Sequence, residues 1–221
     1  MDYLEKVRQT KIIAIVRGLD ESKAVDLAAA LNAGGIEMIE VTFNQARPET
    51  WADTCRAINR ISRSLGNAVC VGAGTVMTVE QLRLARDADA EFMVSPDVNP
   101  EVIRAAKRMN MGTFPGAFTA SEIVAAHEAG ADAVKVFPAG NVGAGYIKAL
   151  KAPLSHIELL AVGGINEENA FDFIQAGAIG VGVGGNLVNR EWIEIGEYDR
   201  ITALARTYRK AVDQTASLRV R

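Results

Sequence analysis

The sequence predicts a (β/α)₈ barrel with an extra N-terminal helix, and three observations carry that expectation. Eight short apolar, β-rich segments recur along 221 residues: Ile12 to Arg17, Ile36 to Thr42, Val69 to Gly74, Glu91 to Ser95, Gly112 to Phe114, Ala133 to Phe137, Leu159 to Val162 and Ile179 to Val183. Their centres lie about 20 to 32 residues apart, the spacing of successive β-α units. Amphipathic stretches fill the intervals, and so many evenly spaced parallel strands suit a closed ring better than the alternative, an open doubly wound sheet.

The helical stretches carry readable ends. Met1 to Thr10 reads as the added helix, ahead of the first strand. Asp20-Glu21-Ser22 opens Lys23 to Ala33, which Gly34-Gly35 closes, and Thr78 begins a stretch reaching Asp89. Asn99-Pro100-Glu101 starts another that ends near Asn110, with proline at the first helical position where its missing N–H costs nothing. Thr119 to Ser121 precedes a helix ending at Gly130, and Asn166 one ending at Gly177. No linker or low-complexity run divides the chain, so residues 1–221 read as one domain, with Ser217 to Arg221 expected to fray.

Composition narrows the function classes. The chain is 49% hydrophobic and 23% charged, with a formal net charge of −3, and its basic residues are dispersed, so neither nucleic acid nor a membrane surface is an expected partner. No apolar run approaches membrane-spanning length and Met1 to Lys11 has no signal-peptide core, which together suggest a cytoplasmic protein. Cys55 and Cys70 fall in a helical and a strand pattern without a C-x-x-C spacing and read as reduced structural thiols. His127 and His156 supply no convergent ligand set, so no metal is expected.

Lys135 is the residue that composition does not explain. In Ala133-Val134-Lys135-Val136-Phe137, alternation puts Val134 and Val136 on one face and Ala133, Lys135 and Phe137 on the other, and neither face is polar. Burial disfavours the ammonium, so the amine should titrate not at about 10.4 but toward about 7, raising its neutral fraction about a thousandfold. Such an amine can form an imine with a carbonyl. The plainer reading is a lysine whose head reaches water at the strand end. Met38, Glu40 and Thr42 share a face of the second strand, so Glu40 can point into the same interior. Imine chemistry needs a group that moves protons, and a tuned carboxylate supplies one; a buried salt bridge with Lys135 is the other reading.

Other polar groups and glycines collect at strand ends, where barrel chemistry resides. Gly163-Gly164 and Gly184-Gly185 follow the seventh and eighth strands and offer unobstructed backbone N–H groups to a phosphate, although glycine also serves turns. Thr75 and Arg17 offer a hydroxyl and a guanidinium fork to a substrate carboxylate, or act as a local cap and a surface charge. Pro115-Gly116, with Phe118, shapes either a pocket wall or a simple turn.

These residues resemble the 2-keto-3-deoxy-6-phosphogluconate / 4-hydroxy-2-oxoglutarate aldolases, class I pyruvate aldolases on a (β/α)₈ barrel. The shared motifs span nearly the whole chain: Ile15-Val16-Arg17, Glu40-Val41-Thr42, Gly72-Ala73-Gly74-Thr75-Val76, Pro115-Gly116-Ala117-Phe118-Thr119 with Glu122, Lys135-Val136-Phe137-Pro138-Ala139, Gly163-Gly164-Ile165 and Gly182-Val183-Gly184-Gly185-Asn186. The resemblance implies that Lys135 forms a Schiff base with pyruvate, that Glu40 is the general acid and base, and that Thr75 holds the pyruvate carboxylate. It further implies that the glycine pairs with Asn186 receive the phosphate of a keto-acid sugar phosphate, without a cofactor and in a homotrimer.

Three positions depart from the common pattern. Asn44 stands where many members place a carboxylate-clamping arginine, leaving Arg17 as the expected replacement; Ala161-Val162 replaces Pro-Thr; Asn186 replaces a serine. The first two are similar to the branch that cleaves the phosphogalactonate epimer. A phosphate-binding isomerase or epimerase would share the glycine pairs without needing a buried lysine, and a sugar-phosphate sensor would bind without turnover.

Overall fold

A computed structural model describes residues 2–218. Nine parallel strand segments form one sheet: β1 (Ile12–Val16), β2 (Met38–Thr42), β3 (Cys70–Gly74), β4 (Phe92–Val94), β5 (Gly112–Phe114), β6 (Gly116–Ala117), β7 (Val134–Val136), β8 (Leu159–Val162) and β9 (Gly180–Val183). They are ordered β5-β4-β3-β2-β1-β9-β8-β7-β6. The fifth predicted strand, Gly112 to Phe114, is β5, and β6 is a further segment that the sequence reading does not include. Proline has no N–H to donate to a ladder, and at Pro115 the run changes partners: β5 pairs with β4, while β6 pairs with β7. Because β5 and β6 are continuous in the chain, they form a single stave that closes the ring.

Helices alternate with the staves: α1 (Tyr3–Thr10), α2 (Ala24–Ala33), α3 (Trp51–Leu65), α4 (Val79–Asp87), α5 (Pro100–Arg108), α6 (Ala120–Glu128), α7 (Ala144–Lys151), α8 (Ala170–Gln175), α9 (Arg190–Glu194) and α10 (Tyr198–Leu218). Most begin where the sequence marks them. Thr119 and Glu122 form a reciprocal capping box at α6, and the Asn99 side chain accepts from Glu101 and Val102 at α5. The stretch after Asn166 is the exception. Asn166 Oδ1 accepts from the amides of Glu168 and Asn169 while Asn169 Oδ1 accepts from that of Asn166, and this reciprocal turn delays α8 to Ala170. The α10 backbone continues to Leu218, so Ser217 and Leu218 are helical where the sequence predicts fraying, and the rest of that segment, 219–221, lies outside the described residues.

Side-chain alternation divides the core into two layers. Outward residues such as Ile39, Val41, Val134, Val136, Val181 and Val183 pack against the helices. Inward residues form a separate cluster of Ile13, Ile15, Met38, Cys70, Phe92, Val94, Phe114, Ala133, Leu160 and Val162. The N-terminal helix seals the lower end: Val7 is fully buried in that inner cluster, with Tyr3 and Leu4 packed against it. Glycines provide the space large inward residues need. A Cβ at Gly72 would lie 2.5 Å from the Phe92 ring, and one at Gly182 would lie 2.8 Å from Val162. Cys55 and Cys70 are both free.

Gly116 shows how the fifth stave is held. A Cβ there would lie 2.6 Å from the Pro96 carbonyl carbon and 2.8 Å from the Ser95 oxygen, both backbone atoms that cannot rotate away. Gly116→Ala is expected to lower stability by about 1 to 3 kcal/mol, the usual cost of overpacking, in a urea melt. An unchanged midpoint would show that the stave can shift freely.

Candidate active site

The upper end of the barrel interior holds two ionisable side chains among apolar neighbours. Glu40 is 2% exposed and Lys135 is 3% exposed. Both point inward by the alternation that places Met38 and Ala133 in the inner cluster. The Lys135 backbone is anchored on the fifth stave: its N–H donates to the Pro115 carbonyl at 2.8 Å, and Phe137 N–H donates to that of Ala117 at 3.0 Å. Its Nζ sits 5.0 Å from the centroid of the Phe137 ring. Glu40 is placed by a glycine on the adjacent strand. A Cβ at Gly74 would fall 1.8 Å from Glu40 Oε1, so only glycine leaves room for this carboxylate.

The electrostatics of the two groups are opposed and linked. Burial raises the Glu40 pKa above its ordinary value, and the positive charges of Lys135 and Arg17 offset part of that rise. Burial lowers the Lys135 pKa; the Glu40 carboxylate opposes the fall and Arg17 reinforces it. A structural salt bridge would satisfy the carboxylate with close hydrogen bonds. Instead Glu40 Oε1 is buried with no hydrogen-bond partner in the protein, and no ion pair joins it to Lys135 among the described residues. This arrangement presents an amine biased toward its neutral, nucleophilic form beside a carboxyl group biased toward holding a proton.

Two clefts share Arg17, whose charge acts on both buried groups. One, of about 530 Å³, is lined by Gly163, Gly164, Gly184, Gly185 and Asn186 together with Phe137 and Val162. Gly163 and Gly164 have φ of +89° and +74°, and the Gly163 carbonyl accepts from Gly140 N–H at 2.7 Å, so the protein's own backbone requires glycine there. Gly185 differs: a Cβ added to it would meet nothing within 4 Å, so the absent side chain leaves the cavity open instead of relieving a clash. The Asn186 amide donates to the Ile165 carbonyl at 2.8 Å and the Asn169 amide to that of Gly164 at 2.9 Å. Asn186 thus staples the two glycine loops together, while Asn169, which the sequence reading missed, braces the first loop from within.

The larger cleft, of about 810 Å³, is lined by Arg17, Asn44, Gln45, Arg47, Thr75 and Arg190 among others. Asn44 is occupied locally, its Oδ1 accepting from Ala46 N–H at 3.0 Å. Arg47 pairs with Glu49 at 3.1 Å on the outer loop. Arg17 lies one residue past β1, exposed and without an ion-pair partner among the described residues, and its charge reaches both buried groups. Arg190, also missed from sequence, donates to the Gly18 carbonyl at 2.9 Å and so holds the turn that follows Arg17. Thr75 has a φ of +55°, a left-handed conformation that β-branched residues rarely adopt. Phe118 stacks on Tyr146 at 5.5 Å, and the Tyr146 hydroxyl donates to its carbonyl.

Comparison with known proteins agrees with this geometry. Residues 4–204 match the family model described as KDPG and KHG aldolase. The chain belongs to this aldolase family. It is 36% identical over 207 residues to the 2-dehydro-3-deoxy-6-phosphogalactonate aldolase of Escherichia coli, covering 92% of this chain and 98% of that protein. It is 33% identical to the 2-dehydro-3-deoxy-phosphogluconate aldolase of Haemophilus influenzae over 92% of this chain and 93% of that one. Among solved structures, a KDPG aldolase from Legionella pneumophila with pyruvate captured as a covalent carbinolamine superposes with a TM-score of 0.81 at 27% identity, over 90% of this chain and 94% of that one. The barrel fold expected from the sequence is the fold of these aldolases.

Because the Glu40 charge supports the Lys135 ammonium, removing it should lower the amine's pKa further. In Glu40→Gln, the midpoint of pyruvate trapping by borohydride is expected to move to lower pH, while turnover falls by about two to four orders of magnitude. A midpoint that stays in place or rises would contradict the linkage.

Proposed function

We propose that this chain is a class I aldolase that reversibly cleaves a 2-keto-3-deoxy-6-phospho sugar acid to pyruvate and glyceraldehyde 3-phosphate, with Lys135 as its nucleophile. The observation that carries this reading is the desolvated Lys135 beside a buried Glu40 whose Oε1 has no hydrogen-bond partner in the protein. The neutral amine attacks the C2 carbonyl, a proton is supplied to the oxygen, and loss of water leaves an iminium. That iminium accepts the electron pair released when the C3–C4 bond breaks. Glu40 takes the C4 hydroxyl proton, the aldehyde departs, and the remaining enamine is protonated at C3 before water frees pyruvate. Arg17 and Thr75 hold the carboxylate, and the glycine pairs receive the phosphate through backbone N–H groups.

The walls of the smaller cleft bear on stereochemistry. Val162 lines it with two methyl groups where a hydroxyl would discriminate the C4 configurations, so both the gluconate and galactonate epimers are read as substrates. 4-Hydroxy-2-oxoglutarate, lacking the phosphate, is read as a further substrate cleaved to pyruvate and glyoxylate. The family resemblance supports a homotrimer, and phosphorylated substrates, which do not cross membranes unaided, support a cytoplasmic enzyme. No helix among the described residues is long and apolar enough to cross a membrane.

Intact mass after incubation with pyruvate and borohydride tests the chemistry. The native chain is expected to gain one reduced pyruvyl adduct at Lys135, and Lys135→Met to lose both the adduct and turnover of either epimer. An isomerase or a sensor would gain no adduct, and an adduct mapped to Lys148 or Lys151 would reject the assignment. Arg17→Ala is expected to cost about 2 to 3 kcal/mol, roughly a hundredfold in kcat/KM, as a lost bidentate partner does. If Arg47→Ala suffers that loss while Arg17→Ala does not, the clamp is Arg47.

A further inference from the structure

Thr75 occupies the left-handed region at the mouth of the barrel, and a chain of amide hydrogen bonds explains how it stays there. Gln45 Nε2 donates to the Thr75 carbonyl at 2.7 Å, Gln81 Nε2 donates to Gln45 Oε1 at 3.0 Å, and Gln81 Oε1 accepts from Met77 N–H at 2.8 Å. Gln81 is fully buried, on the first turn of α4, where its own N–H donates to the Thr78 hydroxyl at 3.2 Å. The direction of the chain is determined by its ends. Met77 N–H can only donate, so it takes the Gln81 oxygen; the Gln81 NH₂ then requires the Gln45 oxygen, and the Gln45 NH₂ is left for a carbonyl, which can only accept.

The two dihedral angles of Thr75 are the rotations between the peptide planes on either side of it. The preceding plane is held by Phe43 N–H on the Gly74 carbonyl at 2.9 Å. The following plane is held at one edge by Val76 N–H on the Val94 carbonyl at 3.1 Å and at the other by Gln45. With both planes pinned, the threonine keeps a φ of +55° that it would otherwise leave. We infer that Gln45 and Gln81 are positioning residues that hold Thr75 in its left-handed conformation, so that its side chain meets the carboxylate of the pyruvate half of the substrate. This inference rests on the reading of Thr75 as a carboxylate contact.

Kinetics in the condensation direction, with pyruvate and glyceraldehyde 3-phosphate, separate the two ideas. Gln45 is exposed, so its replacement opens no cavity in the core, although Gln81 Nε2 loses its acceptor in Gln45→Met and keeps one in Gln45→Glu. Gln45→Met is expected to raise the KM for pyruvate about tenfold, with kcat within about threefold of the native value and the KM for the aldehyde unchanged. Gln45→Glu, equal in shape but without the NH₂ donor, should do the same. In a Thr75→Ala background, which already lacks the hydroxyl, Gln45→Met should change the pyruvate KM by less than about twofold. A penalty of equal size in both backgrounds, or a native pyruvate KM in Gln45→Met while Thr75→Ala raises it, would overturn the inference. If Thr75→Ala leaves the pyruvate KM unchanged, the carboxylate reading fails and the relay is judged on conformation. A crystal structure of Gln45→Met is then expected to show residue 75 out of the left-handed region, and one that retains a positive φ there would overturn the relay as well.

Discussion

Removing the Lys135 amine from water is the constraint on which the rest of the molecule depends. The amine is biased toward its neutral form by an apolar interior that α1 seals from below, with Tyr3, Leu4 and Val7 closing the inner cluster. The carboxylate beside it fits only because β3 carries a glycine at position 74. Both groups cost stability. Lys135 titrates below its unfolded value of 10.5, so its penalty is full below the folded pKa and is relieved as pH rises from there toward 10.5. Glu40 titrates above its unfolded value of 4.5, so its penalty is full above the folded pKa and disappears as pH falls through that window. The fold therefore carries two groups whose charged forms burial disfavours, and the extensive outward core of Val, Ile, Leu and Ala offsets that cost.

The supporting structure is concentrated on short-range geometry at strand ends. Glycines at 163 and 164 follow the demands of the backbone, whereas glycine at 185 leaves open volume, so the two pairs differ in physical origin although they look alike. Asn186 and Asn169 then fasten the first pair's loop to its surroundings. On the other side of Arg17, the strained Thr75 is held by side chains from two different segments. Rigidity at each of these points comes from hydrogen bonds to carbonyls, which constrain position without adding charge near the two ionisable groups.

Much of this was legible in the sequence because the relevant periods are local. The V-K-V alternation placed Lys135 inward, the M-I-E-V-T alternation placed Glu40 beside it, and glycine pairs marked the ends of the last two staves. What was not legible depended on distance or on dihedral angle. Gln45 and Gln81 are 36 residues apart, and nothing in either segment announces that their amides meet. Thr75 could be read as a polar residue at a strand end, but not as one with a positive φ, since the residue type argues against it. Asn166 has the side chain of a helix start but opens a turn that shifts α8 to Ala170. Pro115 suggested a wall or a turn, while its missing N–H in fact marks where one stave exchanges partners.

That exchange at Pro115 has a topological meaning. Every other pair of adjoining strand segments is joined by a ladder of hydrogen bonds, but β5 and β6 adjoin, within one stave, only because one chain runs through both. The circle is thus completed by a single covalent passage of the backbone. New termini introduced in a connecting loop, as in a circular permutant, would leave the ladders and this passage intact, and the barrel with them. New termini between Phe114 and Gly116 would cut the one seam that has no ladder of its own, turning a ring into a sheet with two free edges, one of them at the backbone that anchors Lys135.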